Sequence, residues 1–304
     1  MKTTLSRRAG GKLLLSPRDI GSLIRQALLA WVDDSASSMG AAIAYYTVFS
    51  LAPLLILVIS VAGLIFGRDA VQGEIVSQLQ GLMGHEGAVV VEGLIKSASE
   101  PKTSSFAALV SIGLLLFGAT TVLAEIQNSL DRIWHVPTES RSGGIWEFVR
   151  TRLLSFGIVL GIAFLLLVSL VFSAAVAALG NWWGSHFKGW ETLLQLINFT
   201  SSLALSCLLF AMIYKFMPTI RIAWRDVWIG SVVTAALFEM GKFGIGLYLG
   251  KSGVTSAFGA AGSLVVLLIW VYYSAQIFLL GAEFTKVYAK EHGSGAIGRT
   301  STLR

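Results

Sequence analysis

The sequence predicts an all-α integral membrane protein: a bundle of six transmembrane helices with an N-terminal interfacial amphipathic helix and a small external helical hairpin. Three observations lead there. Of the 304 residues, 55% are hydrophobic and only 13% charged, whereas soluble domains carry roughly a quarter charged residues; mean hydropathy is +0.73. The apolar residues fall into runs at Ala41–Phe66, Phe106–Ala124, Leu153–Leu179, Leu193–Tyr214, Val227–Leu249 and Gly259–Phe284, each near or above the roughly 20 residues that cross the hydrocarbon. Basic residues alternate between the connecting segments. Residues 1–39 hold six Lys or Arg, 131–152 four, 215–226 three and 285–304 four, whereas 67–105 hold three and 180–192 and 250–258 one each. The positive-inside rule then places both termini in the cytoplasm of a cell-membrane protein, the inner membrane in a bacterium. A β-barrel would show short alternating segments instead of continuous runs.

Residues 1–39 form a cytoplasmic segment, and the first apolar run begins too late and runs too long for a cleaved signal. Ser16 as N-cap, Pro17 at the first helical position and Asp19 in the first turn predict a helix start. Ile20, Leu23, Ile24, Ala27, Leu28 and Trp31 follow at helical spacing, with Arg18 and Arg25 interleaved. Such a helix lies in the membrane interface or packs under the bundle.

Residues 40–290 form the membrane domain. In the first span Tyr46, Ser50 and Pro53 share a face, and Pro53 frees a carbonyl one turn earlier, so a kinked helix with a polar stripe is expected. Over residues 67–105, Val71, Ile75, Leu79 and Leu82 make one apolar face and Val90, Leu94, Ile95 and Ala98 another, with Gly84 between them. The expectation is a helical hairpin that lids the bundle or receives an envelope protein partner. Gly157 and Gly161 in the third span and Gly241, Gly244, Gly246 and Gly250 in the fifth allow close helix approach, within one subunit or between two. Cys207, the one cysteine, lies inside the fourth run, which leaves no disulfide framework. Trp134, Trp146, Trp224 and Trp228 beside internal loops, with Trp182, Trp183 and Trp190 in an external one, suit interfacial aromatic belts.

The fifth run contains ALFEMGKFGIGLYLG, in which Glu239 and Lys242 interrupt apolar sequence. A charge at mid-bilayer costs roughly 2.5–3.5 kcal/mol on insertion scales, so these two must find compensation inside the bundle or in water. Three residues apart, they can pair on one helix face. The pair either fixes helix packing or marks a polar pathway, which would also take in Tyr46, Ser50, Pro53 and Tyr248. Glu125 and Glu283, near the cytoplasmic ends of their spans, would build an acidic vestibule suited to proton or cation coupling if they converge. After residue 290 a flexible cytoplasmic tail, 291–304, is expected.

Catalytic constellations are missing. His85, His135, His186 and His292 sit in separate segments without paired metal-ligand spacing, and neither a nucleophile elbow nor a phosphate-binding glycine loop occurs. No cofactor, metal or enzymatic activity is expected. The basic surplus reads as a topology signal, so the expected partners are membrane lipids, not nucleic acid.

AAIAYYTVFSLAPLL, SLDRIW, YKFMPTIRIAWRDVWIGS, FEMGKFGIGLYLG and AFGAAGSLVVLLIWVYYSAQIFLLGAEF, in this order over roughly residues 20–290, resemble the YihY/virulence factor BrkB family of bacterial inner-membrane proteins. The resemblance implies six transmembrane helices, links to serum resistance and export of lipid or lipopolysaccharide precursors, and a historical ribonuclease BN label regarded as a misassignment. Asp131 stands where the family pattern leads one to expect Asn, and Phe258 where Tyr often precedes Gly-Ala. Two functions follow as expectations: movement or flipping of a lipid-like, amphipathic envelope substrate, or a non-catalytic scaffold for envelope assembly.

Overall fold

The computed structural model describes residues 17–99, 121–137, 161, 190–251 and 262–293. All regular structure among them is helical. The helices among them are α1 (Pro17–Asp33), α2 (Ala36–Phe66), α3 (Arg68–Ser99), α4 (Trp190–Phe216), α5 (Trp224–Lys251) and α6 (Gly262–Glu291), with a further helical stretch over 121–133. The runs predicted at 106–124 and 153–179 lie mostly outside the described residues, as do the external Trp182 and Trp183, Trp146 and the tail beyond 293.

By length and composition, Phe199–Phe216 and Leu264–Glu291 can each cross a membrane, and Ala36–Leu51 with Leu54–Ser60 adds a third if that bent pair is one span. The described residues thus hold two or three such helices, a coarser result than six. The bend, 51°, falls between Leu51 and Leu54, the stretch that contains Pro53, a residue type that interrupts the helical hydrogen-bond ladder. Upstream, Thr47 Oγ1 donates to the Ile43 carbonyl and Ser50 Oγ to that of Tyr46, both at 2.7 Å. Back-bonds of this kind favour helix bending.

α1 is helical from Pro17, the first described residue, to Asp33, and the expected N-cap Ser16 lies outside the described residues. Leu23 and Ala27 are buried against Phe284, Val287 and Tyr288 of α6, while Ile20, Ile24, Leu28, Leu29 and Val32 remain exposed. The helix therefore packs on the bundle by one face, as one of the two expectations has it, and keeps an apolar stripe exposed.

The expected hairpin over 67–105 is corrected. Arg68–Ser99 is one unbroken helix that runs through Gly84 and packs along α2 and α6. A mid-helix glycine costs only about 1 kcal/mol relative to alanine, which tertiary packing readily offsets. Of the residues expected on the two apolar faces, Val71, Ile75 and Ile95 are buried, and the side chains of Leu79, Leu82, Val90, Leu94 and Ala98 lie outside the described residues. Val71 and Ile75 are buried near one end, and Ala88, Val91 and Ile95 near the other; Val91 follows Val71 by roughly five and a half turns, so the buried face rotates about half a turn along a single rod.

α6 is the axis of the described structure, with α1, α2, α3 and α5 packed around it. Its Leu267, Val271, Ala275, Phe278, Leu279 and Ala282 enter a core with Ala36, Met39 and Ile43 of α2 and Ala211 and Tyr214 of α4. The α5–α6 crossing is close because small residues face each other. A Cβ on Gly230 would strike Thr285, and one on Gly281 would strike Thr234 and Tyr214. Gly241 likewise faces Tyr273 and Ile277, whereas Gly244 faces open space. In these contacts residue numbers rise along α5 as they fall along α6, so the two helices are antiparallel.

Candidate polar sites in the helix bundle

Two ion pairs of the same spacing organise the polar interior. One is Glu239–Lys242 on α5; the other is Glu283–Lys286 on α6. Both belong to a Glu-x-x-Lys pattern, EMGK and EFTK, which sets acid and base one turn apart on the same helix face.

At the first, Lys242 Nζ sits 2.7 Å from the Glu239 carboxylate, with side-chain exposures of 20% and 13%. Glu239 Oε1 also accepts from Ser202 Oγ at 3.2 Å and Ser206 Oγ at 3.3 Å. These serines stand one turn apart on α4, so the carboxylate bridges two helices. The Lys242 ammonium lies 5.7 Å from the centre of the Phe238 ring, a cation–π contact on its less polar side. Around this charged centre Phe199, Met240 and Phe243 are exposed. A polar group of four side chains thus opens beside an apolar outer surface.

The other residues expected on a pathway are placed as follows. Tyr46 is at the border of exposure and packs edge-on to Tyr45 with ring centres 5.6 Å apart. Ser50 is buried, its hydroxyl committed to the Tyr46 carbonyl. Pro53 lies in the α2 bend, and Tyr248 is exposed on α5. Glu239 and Lys242 come together with Ser202 and Ser206; the hydroxyl of Ser50 is bonded within its own helix, and Tyr46 packs on Tyr45.

The second pair is a larger knot. Lys286 Nζ donates to Glu283 Oε2 at 3.1 Å and to Asp34 Oδ2 at 2.8 Å. His135 Nε2 lies 3.0 Å from Asp34 Oδ1. Glu283 is fully buried and Lys286 almost so, while His135 is 60% exposed. Burial works to raise the Asp34 carboxyl, but hydrogen bonds with Glu283, Lys286 and His135 outweigh it and hold the group at about 2. Beside the knot lies a cavity of about 410 Å³, lined among others by Gln26, Asp33, Asp34, His135, Lys286 and Lys290. Glu283 therefore takes Asp34 and Lys286 as its partners, and Glu125, half-buried in the 121–133 stretch, makes no contact with it among the described residues.

Sequence reasoning missed Asp34, His135, Lys286, Ser202 and Ser206. Two signals were available: the repeated Glu-x-x-Lys spacing flags Lys286, and the two serines four residues apart in an apolar run flag one polar stripe. Asp34 and His135 carry no local signal. Each becomes notable only when α6 and the 121–137 segment meet the α1–α2 turn. Among the described residues no group of three or more His, Cys, Asp or Glu could hold a metal ion.

The profile of the virulence factor BrkB family matches residues 27–301. Among curated proteins, a UPF0761 membrane protein of Ralstonia nicotianae is 30% identical over 274 residues, covering 86% of this chain and 57% of its own length. One of Cronobacter sakazakii is 28% identical over 274 residues, covering 88% of this chain and 90% of its own. A third, from a Psychrobacter species, is 27% identical and covered to 46%. The chain thus spans about half the length of several of the curated relatives that it matches. No solved structure matches. With all but the first 26 and last three residues inside the family match, this chain belongs to the virulence factor BrkB family of membrane proteins.

Proposed function

We propose that this membrane protein moves or flips a lipid-like, amphipathic envelope substrate in the cell inner membrane, with both termini on the cytoplasmic side. One observation carries the reading. A charged pair in the middle of α5 stays partly exposed and draws two hydroxyls from α4, beside the exposed apolar side chains Phe199, Met240 and Phe243. A pair kept only for packing gains nothing from exposure, and well-packed apolar residues do that work at equal or lower cost. Ionisable groups at membrane depth usually mark a substrate or ion path.

In this role the Glu239–Lys242 pair and its serines receive a polar head group while the neighbouring apolar surface carries the chains. Tyr46, Ser50 and the Pro53 bend in α2, with Tyr248 at the far end of α5, extend the route as positioning groups. The scaffold alternative relied on an external hairpin and on the N-terminal interfacial helix; Arg68–Ser99 is one helix packed along the bundle, which removes the first of these platforms, while α1 keeps an exposed apolar stripe.

The test is a lipid-scrambling assay on purified protein in liposomes containing fluorescent phospholipids with reducible head groups. Wild type should expose inner-leaflet label to the reductant, and Glu239→Gln or the Ser202→Ala/Ser206→Ala pair should slow this at least tenfold while inserting normally. Equal rates in wild type and Glu239→Gln would sink the site assignment.

A further inference from the structure

The knot around Glu283 has an imbalance that its partners do not resolve. Two carboxylates, Asp34 and Glu283, share the one ammonium of Lys286, and the two carboxyl groups are also within hydrogen-bonding reach of one another. Between two ionised carboxylates neither side supplies a hydrogen. Glu283 is 0% exposed, and its Oε1 is buried with no donor among the described residues. A buried anionic oxygen left without a donor is costly, so a like-charged buried pair retains a proton. The third partner, His135, touches Asp34 from the exposed side and lines the cavity. Both non-glycine residues with positive φ among the described ones, Ser35 at 57° and His135 at 52°, flank Asp34 in sequence or in space, so the backbone is held out of its preferred region where the two segments meet.

We propose that Asp34, His135, Lys286 and Glu283 form a proton-binding relay, in which Glu283 holds a proton inside the bundle and His135 exchanges it with water in the cavity. The proton passes from imidazolium Nε2 to Asp34 Oδ1 and on to the Glu283 carboxylate; only N–H and O–H bonds are made or broken. Lys286 stays charged throughout and compensates whichever carboxylate is ionised. With the proton on His135 the four groups sum to zero charge, and with the proton on Glu283 they also sum to zero. The proton can therefore change position without a change in buried charge.

The other titratable groups facing the site are Asp33 from α1 and Lys290 and Glu291 from α6 itself, all on the cavity wall. On α5, Asp226 lies against Gly293, just beyond the C-terminal end of α6. α2, α3 and α5 supply no titratable side chain to the cavity lining among the described residues. As a coupling site this relay rests on the transport reading above; as a proton site it does not.

The experiment is infrared difference spectroscopy of the full chain in lipid nanodiscs, with pH jumps and in H₂O and D₂O. At neutral pH the wild type should show a protonated-carboxyl C=O band that shifts in D₂O, is lost in Glu283→Gln and changes frequency in Asp34→Asn. His135→Gln should keep the band but slow its response to a pH jump at least tenfold. Absence of the band at neutral pH, or its survival in Glu283→Gln, overturns the proposal, and so does an unchanged response in His135→Gln. Because Gln is isosteric and Asp34→Asn provides an independent variant, a misfolded mutant does not leave the question open. If the band behaves as expected while scrambling proves absent, the transport reading fails and the proton site stands; scrambling that is present but indifferent to pH removes only the coupling role, and loss of the band with scrambling intact leaves transport standing alone.

Discussion

Lys286 contacts two carboxyl groups that arrive from opposite ends of the chain, Asp34 at 2.8 Å and Glu283 at 3.1 Å, from an almost fully buried position. Removing one partner of a buried ionic group typically costs 3–5 kcal/mol, because the remaining charges stay buried without compensation. Lys286→Met should therefore lower the thermal midpoint in detergent sharply, while Lys242→Met, at a site with 20% and 13% exposure, should lower it far less. Comparable losses would contradict the burial difference. Asp34 adds a dependence on pH whose sign is fixed. Its folded value of about 2 lies below the ordinary 3.8, so its contribution is complete above about pH 4 and vanishes as pH falls through 2. That contribution is about 2 kcal/mol. Asp34→Asn should be less stable than wild type at neutral pH and should show a flatter acid limb between pH 4 and 2, measurable by thermal melts at a series of pH values. Of these residues only Glu283 was legible in the sequence, from its place at the end of an apolar run. Asp34 and His135 look like ordinary turn residues until a contact across 101 positions joins them.

At the scale of helices, the α5–α6 crossing shows how close approach is encoded. Glycine on one helix meets threonine on the other at Gly230–Thr285 and again, reversed, at Thr234–Gly281. The threonine hydroxyls are occupied by their own helix, Thr234 Oγ1 donating to the Gly230 carbonyl and Thr285 Oγ1 to that of Gly281, each at 2.7 Å. The apposed surfaces are therefore smooth, and Tyr214 closes them by donating to the Phe278 carbonyl at 2.7 Å. A methyl at Gly281 has nowhere to go, since both of its neighbours are fixed by these bonds. Gly281→Ala should cost about 1–3 kcal/mol through overpacking, whereas Gly244→Ala, facing open space, should be neutral or stabilising through helix propensity. Differential scanning fluorimetry of both variants decides it, and equal melting shifts would refute the close-crossing account. The sequence pointed to glycine-mediated approach in this helix but could not say which glycines carried it; Gly241 does and Gly244 does not. Pro53 was read more directly, because its bend follows from the residue's own chemistry. Gly84 misled for the converse reason: a local helix weakener was overruled by packing along α2 and α6.

Across the whole molecule, contacts that are distant in sequence gather at one end of the bundle. Asp34 meets His135 and Lys286 there, and Gln26 Nε2 donates to Glu291 at 2.7 Å. Asp131 accepts from the backbone N–H of Thr219 at 2.8 Å and from its hydroxyl at 2.6 Å, and Asp226 lies against Gly293. These contacts tie together parts of the four segments that hold 17 of the 23 basic residues. Their shared charge bias, legible without any structure, and their physical meeting are independent observations, and both are what segments on one side of a membrane would give. An even number of crossings follows if both termini emerge there. The side itself is a prediction from the positive-inside rule. In a Cys207→Ala background, single cysteines at Thr3 and Thr302 should react with a membrane-impermeant maleimide in inverted vesicles and stay protected in intact spheroplasts. A cysteine at Gly67, in the turn between α2 and α3 that the same scheme puts outside, should show the opposite pattern. Labelling of the two termini from different sides would break the even-crossing scheme, while labelling of both from outside would keep the bundle and invert it, moving the His135 cavity to the external face and reversing the direction from which protons reach Glu283.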